Sequence, residues 1–189
     1  MSESNESGWV RAFIGLGSNE GDRLGFVQQA MQLLKDHPDV EVVECSSLYE
    51  TEPVGREYVE WFVNAVASIE TDLSARQLLD VCKDIEQTLT RLAGADSPEV
   101  LHETADGPVK ARIIDLDILF YGESELQTSY LKVPHPHIHR RAYALVPLLE
   151  IAPDWVHPSN GKTVAQLHEQ LAAPEQVFLY GTRECCDFT

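Results

Sequence analysis

Asp115 and Asp117 flank Leu116 inside the most apolar stretch of the chain, Ile113-Ile114-Asp115-Leu116-Asp117-Ile118-Leu119-Phe120. On a strand, alternate side chains share a face, so the two carboxylates project together about 6–7 Å apart while Ile114, Leu116 and Ile118 point the other way. Two like charges on a largely buried strand repel, and one must take up a proton unless a cation sits between them. Mg²⁺ suits that place, because it takes oxygen ligands from one or two carboxylates together with substrate phosphates. A solvent-facing stripe with two ordinary aspartates would give the same bare Asp-x-Asp pattern. The apolar flanks favour the metal.

Three further clusters bear on phosphate chemistry. Arg91, Lys110, Arg112, Lys132, Arg140 and Arg141 are six of the fourteen cations, gathered in just over a quarter of the chain. His135-Pro136-His137-Ile138-His139 holds three of seven histidines. Imidazoles at alternate positions suggest a transition metal, but Pro136 and the adjacent Arg140-Arg141 oppose it, and a histidine with arginines serving phosphate oxygens is the better account. Gly15-Leu16-Gly17-Ser18-Asn19-Glu20-Gly21 follows an apolar run and precedes a helical pattern, but its spacing matches neither the P-loop nor the dinucleotide fingerprint.

These residues sit in an ordinary globular chain. With 189 residues, 43% hydrophobic and 24% charged, it has room for one domain and excludes a disordered, collagenous or disulfide-scaffold protein. A net charge of −17 repels duplex nucleic acid and acidic lipid, whereas a small anion can still bind where cations cluster. The polar start, MSESNESGWV, lacks a signal-peptide pattern and no apolar run approaches a membrane span. Cys45, Cys82, Cys185 and Cys186 form neither a metal motif nor a disulfide framework, which points to a reducing cytoplasm.

Periodicity supplies the scaffold. Strands are expected at residues 10–16, 40–49, 62–71 and 112–121, and helices at 24–35, from Ser74 (with Gln77 as a capping box) to Arg91, at 141–151 and at 164–171. Between Arg91 and Arg112 no period is sustained, and Gly94, Pro98, Gly107 and Pro108 mark a long loop that reads as a mobile lid. The order β-α-β-β-α-β is that of an α+β ferredoxin-like sandwich, with a mostly antiparallel four-stranded core sheet, flanking helices and a long catalytic loop. Residues 1–9 read as a disordered tail, 10–172 as one domain and 173–189 as a C-terminal extension.

Over residues 10–158 the chain resembles the 6-hydroxymethyl-7,8-dihydropterin pyrophosphokinase family. Six ordered motifs carry the resemblance: Gly15-Leu16-Gly17-Ser18-Asn19, Tyr49-x-Thr51-x-Pro53-Val54-Gly55, Phe62-x-Asn64-Ala65, Arg112-x-x-Asp115-x-Asp117, Val133-Pro134-His135 and Pro147-Leu148-x-Glu150-Ile151-Ala152-Pro153. The resemblance implies transfer of pyrophosphate from ATP to the pterin hydroxymethyl group, a step of folate biosynthesis, by an enzyme that uses Mg²⁺ and acts on ATP and reduced pterin; a monomer is expected, with an oligomer left open.

It further implies that Asp115 and Asp117 bind two Mg²⁺ ions. Asn64, with backbone groups of Thr51 and Val54, would read the pterin edge, and Phe62 and Tyr143 would sandwich its ring. Arg91, Arg112, His135 and Arg141 would serve the triphosphate. The apparatus is physically sufficient: stacking faces and in-plane hydrogen bonds identify a flat polar heterocycle, and phosphoryl-type transfer needs positioning and charge neutralisation rather than a covalent nucleophile. Lys110-Ala111 departs from the family's usual Gly-Pro or Ala-Pro, Thr90 replaces a common glycine, and the lid is long. Strand parity would set Arg112 opposite Asp115 unless the backbone is irregular between them. The competing readings are a catalytically weak pterin- or nucleotide-binding module of the same fold, and a zinc hydrolase built on His135, His137 and His139.

Overall fold

The computed structural model describes residues 8–182 except 56, 106 and 173. Its centre is β1 (Val10–Ser18), apolar on both faces and paired antiparallel with β4 (Phe62–Thr71) on one side and β7 (Asp115–Tyr121) on the other. Two short strands, β2 (Val40–Cys45) and β3 (Leu48–Thr51), share the far side of β4 end to end, and β10 (Val177–Gly181) pairs antiparallel with β3 as a further edge. The sheet therefore has six strands where four were expected, in an α+β fold.

The break in the expected strand 40–49 has a local cause. The Ser46 N–H donates to the Val66 carbonyl while the Ser46 hydroxyl accepts the Val66 N–H, and Ser47 turns away to donate its N–H and its hydroxyl to Glu150 at 2.7 and 2.8 Å. Side-chain oxygens thus replace the ladder at the kink.

Helices α1 (Arg23–Lys35) and α2 (Ala75–Leu92) cover one face of the sheet. Val27, Met31, Leu34, Leu78 and Leu89 pack there on Ile14, Leu16, Ile69 and Leu116. The Ser74–Gln77 capping box is present, and it satisfies two of the backbone N–H groups left open at the start of α2. Against one end of the opposite face lie α3 (Ala142–Ile151) and α4 (Val164–Glu169), over Phe13, Val66, Leu119 and Phe120. The rest of that face is left uncovered by them.

The segment expected as a structureless lid is instead a hairpin, β5 (Glu99–Thr104) with β6 (Gly107–Arg112). Leu101–Thr104 are exposed, and Ala111 with its register partner Val100 is the one pair turned to the core, too little apolar alternation to mark a strand pair in the sequence. The expected strand 112–121 begins only at Asp115, because Ile113 and Ile114 form an irregular link between β6 and β7. Two short strands, β8 (Leu126–Gln127) and β9 (Lys132–Val133), precede the 3-10 turn Ile138–Arg140. No helix among the described residues is long and apolar enough to cross a membrane.

Candidate active site

Strand parity and register build the site. On β1, Gly15 and Gly17 face the side away from α1 and α2; Gly17 pairs with Asn64 on β4 and with Asp115 on β7, and Gly15 pairs with Val66 and Asp117. Two rows thus cross three strands, Asn64–Gly17–Asp115 and Val66–Gly15–Asp117. With glycine in the middle of each row, the centre has no side chain, and a cavity of about 250 Å³ opens over it. The glycine motif that failed as a phosphate loop is the floor of this cavity.

One wall is amide and aromatic. Asn64 is buried, and its Nδ2 donates to Thr51 Oγ1 at 2.7 Å, which fixes the amide plane and leaves its carbonyl oxygen over Gly17. Thr51, Val54, Phe62 and Tyr143 also line the cavity. Tyr143 lies in the first turn of α3, whose start is held from elsewhere in the chain: Glu175 accepts the Ala142 N–H at 2.8 Å and pairs with Arg141, also a cavity residue, at 3.6 Å. Nothing in the local sequence at 141–143 announces this cap. Burial first, and Asp117 second, push the Tyr143 phenol up, so it stays neutral.

The opposite wall is acidic. Asp115 and Asp117 both line the cavity. Burial first, and the Asp115 carboxylate second, push Asp117 up to about 7, with Lys83 working the other way. Between them the Leu116 N–H donates to Glu86 Oε1 at 2.8 Å, at the outer edge of the sheet. Glu86 is buried in α2 and also takes Lys83 Nζ at 2.8 and 2.9 Å. Sequence reasoning missed this pair, although Glu86 stands as a lone carboxylate beside the apolar stripe Leu78, Cys82, Ile85, Leu89. Cys82, next to it, is pushed up to about 12 by burial first and is an inert thiol.

Arg112 lies at the junction. Asn19 grips its backbone, accepting the Arg112 N–H through Oδ1 at 2.5 Å and donating its own N–H to the Arg112 carbonyl at 3.0 Å. The guanidinium then meets Tyr58 Oη through Nε at 3.4 Å, Asp115 at 3.4 Å and Glu99 at 3.2 Å. Burial alone would lower its pKa; Asp115, and then Tyr58, raise it. The irregular link at 113–114 is what turns Arg112 to the Asp115 side, against strict parity.

Two expected residues lie apart. Arg91 is exposed in the last turn of α2, its guanidinium turned back on Gln87 and Thr88 at 3.3 and 3.4 Å, and it does not line the cavity. His135 also lies outside the lining, half-buried, its pKa lowered by burial first and then by His137 and Arg141. His137 and His139 are exposed, and among the described residues no three His, Cys, Asp or Glu side chains gather as a metal cluster. Thr90 is simply helical and buried, its hydroxyl bonded to the Glu86 carbonyl at 2.7 Å.

The sequence profile of the 7,8-dihydro-6-hydroxymethylpterin-pyrophosphokinase (HPPK) family matches residues 13–153. The chain belongs to this family. It is 39% identical over 157 residues to the 2-amino-4-hydroxy-6-hydroxymethyldihydropteridine pyrophosphokinase of Methylorubrum extorquens, covering 83% of this chain and 90% of that one. The protein of the same name from Bacillus subtilis is 41% identical over 140 residues, 74% of this chain and 77% of that one. Among solved structures, a Plasmodium falciparum HPPK-DHPS superposes with a TM-score of 0.64 at 15% identity, over 88% of this chain. The chain spans 46% of that longer protein, so the likeness speaks for the HPPK fold alone.

Proposed function

We infer that the cavity transfers pyrophosphate from ATP to 6-hydroxymethyl-7,8-dihydropterin, giving AMP and the pterin diphosphate, a step of folate biosynthesis. The row Asn64–Gly17–Asp115 carries this reading. It sets a heterocycle-reading amide and a carboxylate pair on one floor, two strand spacings or roughly 10 Å apart. The pterin lies toward Asn64, its edge meeting the amide and backbone groups of Thr51 and Val54, its faces meeting Phe62 and Tyr143.

The oxygen-only pair Asp115 and Asp117, with its raised Asp117, fits Mg²⁺, two ions being the expected complement. Held by Asp115 and Asp117, such ions would supply charge neutralisation to the phosphate oxygens. Arg112 and Arg141 supply fixed positive charge from the cavity wall, and no residue needs to form a covalent intermediate. Arg91 and His135 join the triphosphate site when ATP is bound, and the β5–β6 hairpin excludes water there. The antiparallel order of β2 and β3 beside β4, then β1, then β7 supports a ferredoxin-like core. The buried thiol of Cys82, which forms no disulfide, suits a cytoplasmic setting.

The binding-module alternative is not favoured, since the metal pair, the pterin wall and Arg112 are all present in one cavity. Calorimetry with each ligand separately tests the assignment. Asn64→Ala should weaken pterin binding by about 1–3 kcal/mol while leaving ATP binding nearly unchanged. Equal losses for both ligands would contradict it.

A further inference from the structure

The loop 52–61 and the β5–β6 hairpin, some fifty residues apart in sequence, meet along one seam beside the cavity. The Lys110 N–H donates to the Glu57 carbonyl at 2.6 Å, and an isolated bridge joins Tyr58 to Lys110. Lys110 Nζ pairs with Glu57 at 3.3 Å and with Glu99 of β5 at 3.5 Å. A glycine or alanine at position 110 would keep the main-chain bond but make neither ion pair, so the departure noted in the sequence adds a side-chain tie between the two arms. Tyr58 lies at the inner end of the seam. Its ring stands edge-on to Phe62, 5.5 Å between centroids and 71° between planes, and its hydroxyl meets Arg112 Nε.

We propose that Tyr58 is a positioning residue that couples the pterin wall to Arg112, with Lys110 as the latch that holds its loop against the catalytic hairpin. The proposal rests on the pyrophosphokinase reading. Phe62 stacks on the pterin, Tyr58 packs on Phe62, and the tyrosine hydroxyl steadies the guanidinium through Nε. A neutral hydroxyl does this without competing for the charge that phosphate oxygens require, whereas Glu99 and Asp115 do compete. Occupying the pterin wall therefore narrows the orientations of Arg112, and by reciprocity a nucleotide that engages Arg112 tightens the pterin wall.

The test uses Tyr58→Phe, which keeps the ring and removes only the hydroxyl. Pterin affinity alone should stay within about twofold of wild type, while kcat falls by about tenfold, or 1.4 kcal/mol of barrier. The ratio of pterin Kd without and with a non-hydrolysable ATP analogue should collapse toward one. In an Arg112→Lys background the same change should have little further effect, because the contact is already lost. A Tyr58→Phe enzyme with wild-type kcat and an undiminished ratio overturns the proposal. Hydrogen exchange on the ligand-free protein decides the latch independently: amides 109–112 should exchange about tenfold faster in Lys110→Ala, and unchanged rates overturn it. If wild type itself forms no AMP from ATP and pterin, the pyrophosphokinase reading has failed, and the exchange result still decides whether the seam exists.

Discussion

A β-carbon on residue 17 would lie 2.5 Å from Asn64 Oδ1, closer than real β-carbons come to any neighbour. Gly17 and Asn64 are register partners on β1 and β4, so the amide can lie flat over the sheet only because its partner has no side chain. The glycine is required here by close approach, not by a left-handed backbone.

Gly17→Ala should therefore push Asn64 off its Thr51 bond and raise the pterin Kd by about tenfold or more, the loss of one well-made hydrogen bond to a buried group. The fold should survive, since the atom that must yield is a side-chain terminus. Pterin titration beside a thermal melt checks this; unchanged affinity would mean that Asn64 does not read the heterocycle.

Asp117 sets the sign of a pH effect. In the metal-free protein its pKa stands near 7 against an ordinary 3.8, so between those values the native state keeps a proton that the unfolded chain has released. Stability contributed by this group is then present at low pH and lost as pH rises toward about 7. Asp117→Asn should flatten that slope and be the more stable protein above pH 7, though inactive. Denaturant melts of both proteins across pH 4–8 in chelator provide the comparison, and parallel curves would contradict the burial and repulsion assigned to the pair.

Glu86→Ala leaves the Leu116 N–H and the Lys83 ammonium without their partner. The expected cost is about 1–3 kcal/mol of stability, with a lower kcat because the backbone between Asp115 and Asp117 is no longer held. Glu86→Gln, which can still accept the Leu116 N–H, should recover part of both. Urea unfolding with turnover on the same samples separates the two effects.

Glu175 offers a test of the C-terminal segment. Glu175→Ala removes the cap at Ala142 and the Arg141 ion pair together, and should cost about 0.5–2 kcal/mol. Pterin affinity should also fall, because Tyr143 sits on the turn that is freed. A variant with a normal melt and normal pterin binding would show that α3 needs no such anchor.

The strand alternation of Asp115 and Asp117 and the two covering helices were readable from residue type and period, whereas Asn64 and Phe62 were singled out only by the family resemblance. What escaped the sequence was tertiary. Glu86 and Glu175 act on backbone N–H groups 30 and 33 residues away, which no local pattern encodes. The hairpin at 99–112 hid because only its Val100–Ala111 pair turns to the core, and the kink at Ser46-Ser47 because hydroxyls took over the ladder. Residues 183–189, with Cys185 and Cys186, lie outside the described residues, as do residues 1–7 of the expected tail, and β10 shows that part of the expected extension belongs to the sheet.

We infer that this cavity moves a pyrophosphoryl group to a reduced pterin. Wild type, Asp115→Ala and Asp117→Ala incubated with ATP, Mg²⁺ and 6-hydroxymethyl-7,8-dihydropterin, with nucleotides resolved by chromatography, test it most directly. Wild type should release AMP only when the pterin is present, one per pterin diphosphate, and each variant should fall below about a tenth of that rate, or 1.4 kcal/mol of barrier. Release of ADP, AMP without pterin, or a variant retaining more than that rate would rule out pyrophosphoryl transfer at Asp115 and Asp117.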